Sequence, residues 1–218
     1  MPLPFYKNVP AELQRFVISE ILPQYTRFDA AHQCDHAETV IRESMALLPF
    51  YPVKPALVYT IAACHDLGLC EGREHHHEVS GRIIRDMKAL RQWFSEEEIV
   101  VMAEAAEDHR ASSQHTPRSI YGKIVAEADR LIDTELVLRR TVQYGLSHYP
   151  HLNKEGHFKR MQEHLKEKYA AGGYLQLWIP ESPNAIRQEE LRKVIAQPQL
   201  LREWFEKLFD EEQKTGGH

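Results

Sequence analysis

Residues 61–81 bring together side chains that bind metal ions. The segment contains the adjacent pair His65 and Asp66 and, after a polar loop, three consecutive histidines at positions 75–77. Neutral imidazoles and carboxylates are ligands for Zn, Mn, Fe and Ni ions, whereas a hydrophobic core gains nothing from burying them unpaired. The segment therefore predicts a metal site. For the His-Asp pair alone, a hydrogen-bonded pair in a core is an equally good interpretation.

Other residues of the same chemistry occur at regular positions along the predicted helices. Each is three or four positions from an apolar residue of its own helix, which directs it toward the core. These residues are His36, His65, His109 and Asp129. His77 lies at or just before the start of a further helix. His32, four positions before His36, is either an alternative ligand on the same helical face or an ordinary loop residue.

Several ionisable groups in one core are costly unless they have partners. Each charge that leaves water without compensation costs several kcal/mol of folding free energy. A bound metal ion would compensate that cost for all of these residues together. Their occurrence on successive helices therefore favours a metal centre over separate structural roles.

Apolar residues recur at helical spacing through most of the chain, so the fold is predicted to be all-α. Pro55 is expected to open the helix that ends in the His-Asp pair, and Gly68 to stop it. Ser95 and Glu98 form a predicted capping box for the helix that leads to the EDHR sequence. These helices must place their polar ends close together if the metal site exists.

The C-terminal part of the chain is also expected to be helical. Residues 154–169 form an amphipathic, charged stretch, and residues 175–183 are predicted to be extended or irregular and packed by a tryptophan. A single final helix is predicted for residues 184–209. This part forms the C-terminal helical extension of the predicted fold.

Length and composition restrict the class of protein. The 218 residues, 43% hydrophobic and 27% charged, fit one globular domain over residues 1–218. The formal net charge of −5 lacks the basic surface of a protein that binds a nucleic acid duplex. Three cysteines without a CxxC pattern and the absence of an apolar leader or span predict a cytoplasmic protein without membrane attachment.

The order of these residues along the chain resembles that of the HD-domain superfamily of metal-dependent phosphohydrolases. The matching segments are HAETV, ACHDLG, HEVSG, EDHR and EADRL, which contain His36, the pair His65 and Asp66, His77, His109 and Asp129. The resemblance covers about residues 25–140, and the C-terminal helices predicted over about 141–212 lie outside it. It implies an all-α, HD-domain-like helical bundle around a metal site.

The resemblance also implies roles for individual residues. His36, His65, Asp66 and Asp129 match the ligands of one metal ion. His77 and His109 match the additional ligands of members with two ions, in which Asp66 would bridge them. His77 is preferred over His76 because the spacing in HEVSG fits, although the choice between these neighbours is open. The cofactors implied are one or two divalent transition metals (Mn, Fe, Co, Ni or Zn).

The expected reaction is hydrolysis of a nucleotide or another small phosphoester by metal-activated water, with Asp66 as the catalytic residue. A bound metal lowers the pKa of water from 15.7 to about 7, which supplies hydroxide at neutral pH. Candidate substrate-binding residues are Arg73, Arg110 and His76, because arginine binds phosphate in a bidentate manner. The only expected partner is a small phosphorylated substrate, and a homo-oligomer is compatible with the sequence.

Two other functions remain open at this stage. Di-iron oxygenases of the same superfamily share the six-ligand order H, HD, H, H, D. A noncatalytic regulatory module that keeps its metal for structure is the third interpretation. The segment HDLG is not followed by the signatures of members that cleave guanosine tetraphosphate or cyclic dinucleotides, so the sequence does not identify the substrate.

Overall fold

The computed structural model describes residues 3–28, 33–113 and 115–215, and in this part of the chain every regular element is helical. The α-helices are α1 (Ala11–Phe16), α2 (Cys34–Ala46), α3 (Pro55–Cys64), α4 (His76–Asp86), α5 (Glu96–Glu107), α6 (Ile120–Asp129), α7 (Thr134–His148), α8 (Lys154–Tyr169), α9 (Asn184–Ile195) and α10 (Pro198–Thr215). The predicted all-α fold is confirmed. His32 lies outside the described residues.

Two compact units make up the chain. The first comprises Met1–Leu131 together with Trp178–Ser182, and the second comprises Ile132–Leu177 together with Pro183–His218. The expectation of a single domain stays a prediction. Among the described helices, none combines the length and the apolar character that a membrane span requires.

Helix α3 lies in the interior of the first unit. Its first residue is Pro55, which suits the first turn because proline lacks an N–H that would be unsatisfied there. The residues from Leu57 to Cys64 are all buried, so the helix is surrounded by core on every side. Because His65 and Asp66 follow directly, both side chains are delivered into the interior, at 0% and 3% exposure.

Helices α5 and α6 both begin with side-chain caps, and the cap of α5 is the predicted capping box. Ser95 Oγ accepts a hydrogen bond from the backbone N–H of Glu98, and the Glu98 side chain accepts one from the Ser95 N–H. Ser119 Oγ accepts from the N–H of Gly122. These caps satisfy backbone donors that otherwise lack partners and fix where each helix starts. The positions of the residues at the far ends of both helices follow from these starts.

The second unit has its own apolar core. Helices α7, α8, α9 and α10 surround a set of buried residues that includes Leu138, Met161, Leu165, Leu191 and Phe205. The segment between α8 and α9 has no regular structure, as expected. The predicted single final helix is instead two, because Pro198 begins α10 and the residue before a proline disfavours helical geometry.

Gly68 has a different role from the predicted helix stop. Helix α3 ends at Cys64, and Gly68 lies in the following 3-10 turn Leu67–Glu71. A Cβ atom at this position would lie 2.0 Å from the backbone oxygen of His76 and 2.6 Å from the backbone nitrogen of Ser80. Glycine is therefore needed because the first turn of α4 packs directly on this turn.

We expect Gly68→Ala to destabilise the protein by about 1–3 kcal/mol, as overpacking at a rigid contact does. Chemical denaturation followed by circular dichroism measures the change in the free energy of unfolding. Gly156→Ala is the matched control, because a Cβ atom there meets only side-chain atoms, the nearest at 3.3 Å. Equal stability of the two variants would contradict the close approach of α4.

Candidate metal centre

The ends of five helices contribute the side chains of the candidate site. His36 lies in the first turn of α2, and His76 is the first residue of α4. The other contributions come from C-terminal ends: the His-Asp pair after α3, His109 after α5 and Asp129 at the end of α6. A helix C-terminus carries a partial negative charge, so three such ends favour a cation at this place.

The two carboxylate oxygens of Asp66 face two different pairs of histidines. Oδ2 lies 3.4 Å from His36 Nε2 and 3.3 Å from His65 Nε2. Oδ1 lies 3.4 Å from His76 Nε2 and 3.2 Å from His109 Nε2. This carboxylate is therefore shared between two groups of ligand atoms.

Asp129 completes one of these groups. Its Oδ1 lies 3.3 Å from His36 Nε2 and 3.6 Å from His65 Nε2. We call His36, His65, Asp129 and Asp66 Oδ2 the first ligand set. The second ligand set is His76, His109 and Asp66 Oδ1. A metal held by the three protein ligands of the second set would keep a fourth position for water, as catalytic metal sites do.

Backbone carbonyl groups orient three of the four imidazoles in the same manner. His65 Nδ1 lies 2.8 Å from the oxygen of Ala62, His76 Nδ1 lies 2.8 Å from that of Arg73, and His109 Nδ1 lies 2.5 Å from that of Ala106. Each acceptor is three residues earlier in the chain. A carbonyl only accepts, so Nδ1 carries a proton in each of these rings. When such a ring is neutral, as a metal ligand must be, its Nε2 lone pair points into the site.

The donor atoms fit a bound cation. The two Nε2 atoms of each pair are close, at 3.3 Å for His36 and His65 and 3.2 Å for His76 and His109. Nitrogen ligands at 2.0–2.1 Å from one Zn ion in tetrahedral geometry would be about 3.3–3.4 Å apart. Two neutral imidazoles cannot both direct Nε2 lone pairs at this separation without a proton or a cation between them. The residues therefore fit a divalent metal centre.

Charges inside the site shift the pKa values of its members. Burial alone would lower the pKa of His65, but Asp66 and Asp129 outweigh burial and hold it well above its ordinary value. The pKa of His36 is raised in the same way against burial, by hydrogen bonds to the two carboxylates. Burial and the neighbouring His109 lower the pKa of His76 to about 4. Without a metal, the carboxylates therefore favour protonation of His36 and His65, whereas burial disfavours protonation of His76.

We expect metal uptake by the first ligand set to release protons at pH 7. The carboxylates of Asp66 and Asp129 raise the pKa of both imidazoles and so favour their protonated forms. A metal binds only the neutral ring, so metal affinity falls as the pH is lowered. His76, with its low pKa, is neutral already and releases none. Calorimetric titration with Mn²⁺ in two buffers of different ionisation enthalpy counts the protons, and heats that do not depend on the buffer would contradict this prediction.

The structure departs from the sequence expectation at the start of α4. His76, expected among the substrate-binding residues, lies in the second ligand set, whereas the expected ligand His77 does not. His77 Nε2 is 4.0 Å from Oε1 of Glu78, and its Nδ1 is buried without a hydrogen-bond partner among the described residues. Successive residues of a helix point about 100° apart. Because α4 begins at His76, this residue and not His77 is directed toward His109.

Arg73 and Arg110, the two arginines expected to bind substrate, lie on the loops beside the second ligand set. Arg73 is exposed, and its carbonyl oxygen holds the His76 ring. Arg110 donates from Nη1 to the oxygen of Glu74 at 2.5 Å and from Nε to Oγ of Ser112 at 3.0 Å. Arg110 therefore connects the loop after α5 to the loop before α4.

Three supporting residues were not predicted. The Tyr25 hydroxyl accepts a hydrogen bond from the backbone N–H of Asp66 at 3.3 Å, and Nη1 of the buried Arg130 donates to the oxygen of His109 at 2.9 Å. Asp108 accepts from the backbone N–H and the guanidinium of Arg118. Asp108 and Arg130 could have been identified from the sequence, because each is adjacent to a predicted ligand, His109 or Asp129. Tyr25 had none, because it lies 41 residues before Asp66.

The comparison with known families agrees with this geometry. The family model of the HD domain matches residues 32–132, a range that includes every member of both ligand sets. No curated protein and no solved structure shows a significant match to the chain. The matched region contains the buried cluster of histidines and aspartates that can hold a divalent metal. Residues 32–132 therefore match the HD domain family, which is part of a superfamily of metal-dependent phosphohydrolases.

Proposed function

We propose that this protein hydrolyses a phosphoester bond in a nucleotide or another small phosphorylated molecule, with one or two divalent metals and water as the nucleophile. The observation that carries the proposal is the shared carboxylate of Asp66, whose two oxygens face two histidine pairs. The match of residues 32–132 to the HD domain family supports the same class of reaction.

The residues of the chain fix the reacting centre. Divalent Mn, Fe, Co, Ni or Zn ions bound there would activate water and stabilise negative charge on the attacking and leaving oxygens. Asp66 aligns the two ligand sets with each other, and the carbonyl groups behind His65, His76 and His109 keep the Nε2 atoms directed at the centre. Burial of Asp66 and His65 excludes bulk water, which strengthens electrostatic interactions with a phosphoryl group.

Arg110 and Arg73 are the proposed phosphate-binding residues. Arg110 lies close enough to His77 to lower its pKa, together with burial and His109. The two hydrogen bonds that Arg110 donates, to Glu74 and Ser112, use Nη1 and Nε. Its Nη2 group is the donor proposed for a phosphate oxygen. The preference for a small substrate over a nucleic acid duplex rests on the net charge of −5. The cytoplasmic location and a homo-oligomeric state stay predictions.

The test is a screen of phosphorylated metabolites with protein purified without oxygen and reconstituted with each metal. Release of phosphate or of a phosphomonoester in the presence of Mn, Co, Ni or Zn, and its loss in Asp66→Ala, is the expected result. Two bound irons, an oxygen-dependent colour change and no hydrolysis would replace the proposal with an oxygenase. Metal-loaded protein that is inert toward the whole panel would replace it with a noncatalytic module.

A further inference from the structure

A buried hydroxyl group, that of Tyr25, lies beside the end of α3. Tyr25 belongs to the 3-10 turn Leu22–Arg27 and is 0% exposed. Its hydroxyl donates a hydrogen bond to the oxygen of Ala63 at 2.9 Å and accepts one from the N–H of Asp66 at 3.3 Å. One side chain therefore contacts the backbone before and after His65, in the segment that supplies the shared carboxylate.

These two hydrogen bonds take the place of two backbone hydrogen bonds that would continue α3. In a longer helix, the N–H of Asp66 would donate to the oxygen of Ala62. The N–H of Leu67 would likewise donate to the oxygen of Ala63. Neither bond is present among the backbone hydrogen bonds of the described residues. The Tyr25 hydroxyl therefore satisfies two backbone groups that the helix end leaves without helical partners.

The oxygen of Ala62 has a different partner, which belongs to the metal centre. It accepts a hydrogen bond from Nδ1 of His65 at 2.8 Å. That bond holds a proton on Nδ1, so the ring offers Nε2 to a metal when it is neutral. In a continuous helix, the N–H of Asp66 would donate to the same oxygen. Because the Tyr25 hydroxyl accepts from this N–H, the oxygen of Ala62 is left to the imidazole.

The same contact sets the backbone of Asp66. This residue has φ −108° and ψ 8°, which lies outside the α-helical region. Its carboxylate is directed between the two ligand sets, with Oδ2 at 3.3 Å from His65 Nε2 and Oδ1 at 3.2 Å from His109 Nε2. A hydrogen bond at its N–H therefore helps to hold a side chain on which both ligand sets depend.

Packing fixes the position of the Tyr25 ring. Phe28 packs edge-on against it, with 5.3 Å between the ring centroids, and both rings pack in the main core of the first unit. A ring in a close-packed core has few alternative positions, so the hydroxyl is a fixed point for the backbone that it contacts. Removal of the hydroxyl alone would keep this packing and leave the Asp66 N–H and the Ala63 oxygen without their partner.

We propose that Tyr25 is a positioning residue of the metal centre, whose hydroxyl ends α3 after Cys64 and thereby fixes the ring of His65 and the shared carboxylate of Asp66. The inference rests on the metal binding that the proposed function requires, and not on the phosphoester chemistry. Tyr25 lies outside residues 32–132, so the match to the HD domain family does not include it.

Tyr25→Phe tests the proposal, because it removes the hydroxyl and keeps the ring. Co²⁺ is the probe, since its visible absorption depends on the number and geometry of its ligands. We expect the dissociation constant for Co²⁺ to rise about 10–100-fold, which is the usual effect of removing a group that supports metal ligands. The spectrum of the Co-saturated variant should also differ from that of the unaltered protein. A hydroxyl that only stabilised the fold would leave this spectrum unchanged.

Tyr59→Phe is the matched control. Tyr59 lies in α3 itself and is 1% exposed, and none of its hydrogen bonds within the described part of the chain reaches a member of either ligand set. Its substitution should leave the dissociation constant and the spectrum unchanged. Phe28→Leu is the second variant, for the case in which Tyr25→Phe does not fold. It keeps the hydroxyl but loosens the packing of the Tyr25 ring, so Co²⁺ should bind more weakly than to the unaltered protein.

The outcomes separate this inference from the proposed function. An unchanged dissociation constant and spectrum in folded Tyr25→Phe, or equal changes in Tyr25→Phe and Tyr59→Phe, would overturn the role of Tyr25 whether or not the protein hydrolyses a phosphoester. If only Phe28→Leu folds, unchanged Co²⁺ binding in that variant would overturn it. Weaker binding and an altered spectrum in Tyr25→Phe, without hydrolysis of any phosphoester by the unaltered protein, would support the inference and contradict the catalytic proposal.

Discussion

Asp66→Ala should bind no metal in either ligand set and should hydrolyse its substrate more than about 100-fold more slowly than the unaltered protein. Mutation of a residue that only supports a metal ligand already lowers metal affinity or activity by about 10–100-fold, and Asp66 is itself a ligand in both sets. Each ligand set contains one oxygen of this carboxylate. Loss of Asp66 therefore affects both sets together. Metal content after dialysis and the rate of phosphate release under saturating metal are the measurements.

Asp129→Ala is the matched variant for Asp66→Ala. Asp129 contacts His36 and His65, which are members of the first ligand set. Its removal should therefore weaken metal binding in the first set and leave His76, His109 and Asp66 able to hold an ion. Equal metal loss in Asp66→Ala and Asp129→Ala would show that the two sets do not bind independently. Two retained metals in Asp66→Ala would remove the bridging role of this residue.

Helical periodicity was sufficient to identify most of the residues that the structure brings together. His65 follows Ile61 by four positions and Asp129 follows Val125 by four, and in both cases the apolar residue lies in the core. A polar residue on the buried face of a helix has to share the interior with the apolar residues of that face. Because the buried faces of these helices meet in one core, their polar ends come together.

The start of α4 could not be predicted at the accuracy that the site requires. A shift of one residue in a helix start decides whether His76 or His77 points inward, and sequence patterns define helix ends to within a few residues at best. The contact that fixes the start is not local in sequence. Gly68, in the preceding turn, allows the backbone of α4 to come close, and its N–H donates to Oγ of Ser80 at 2.9 Å.

Hydrogen bonds between residues that are far apart in the sequence could not be predicted either. Tyr25 reads as an apolar residue near a helix end, yet its hydroxyl supports the backbone at Asp66. The sequence around Asp108 does not indicate that its carboxylate pairs with Arg118, which follows ten residues later, after a loop. Such contacts depend on how elements pack in three dimensions, whereas periodicity reports only which face of one element is buried.

Two features of the site favour the binding of a cation in the protein interior. Two carboxylates and three helix C-termini supply negative charge, while the histidines supply lone pairs that the backbone holds in one orientation. Without metal, the raised pKa values of His36 and His65 favour the protonated rings, whose charge opposes that of the carboxylates.

His76→Ala should lose the metal of the second ligand set, whereas His77→Ala should keep both metals. The two histidines are adjacent, and both side chains are largely buried, at 13% and 17% exposure. Only His76 Nε2 lies within hydrogen-bonding distance of His109 Nε2, and its Nδ1 is fixed by the oxygen of Arg73. The pair of variants therefore compares residues of one chemistry and similar burial that differ in the direction of the ring.

Metal content and the rate of hydrolysis distinguish the two variants. We expect His76→Ala to bind one metal instead of two and to hydrolyse the substrate more than about 100-fold more slowly. The substitution removes a metal ligand and not only a residue that supports one. His77→Ala should retain two metals, because its Nε2 is directed toward Glu78. The reverse result, with metal lost only in His77→Ala, would restore His77 as the ligand and require α4 to begin one residue later than the structure places it.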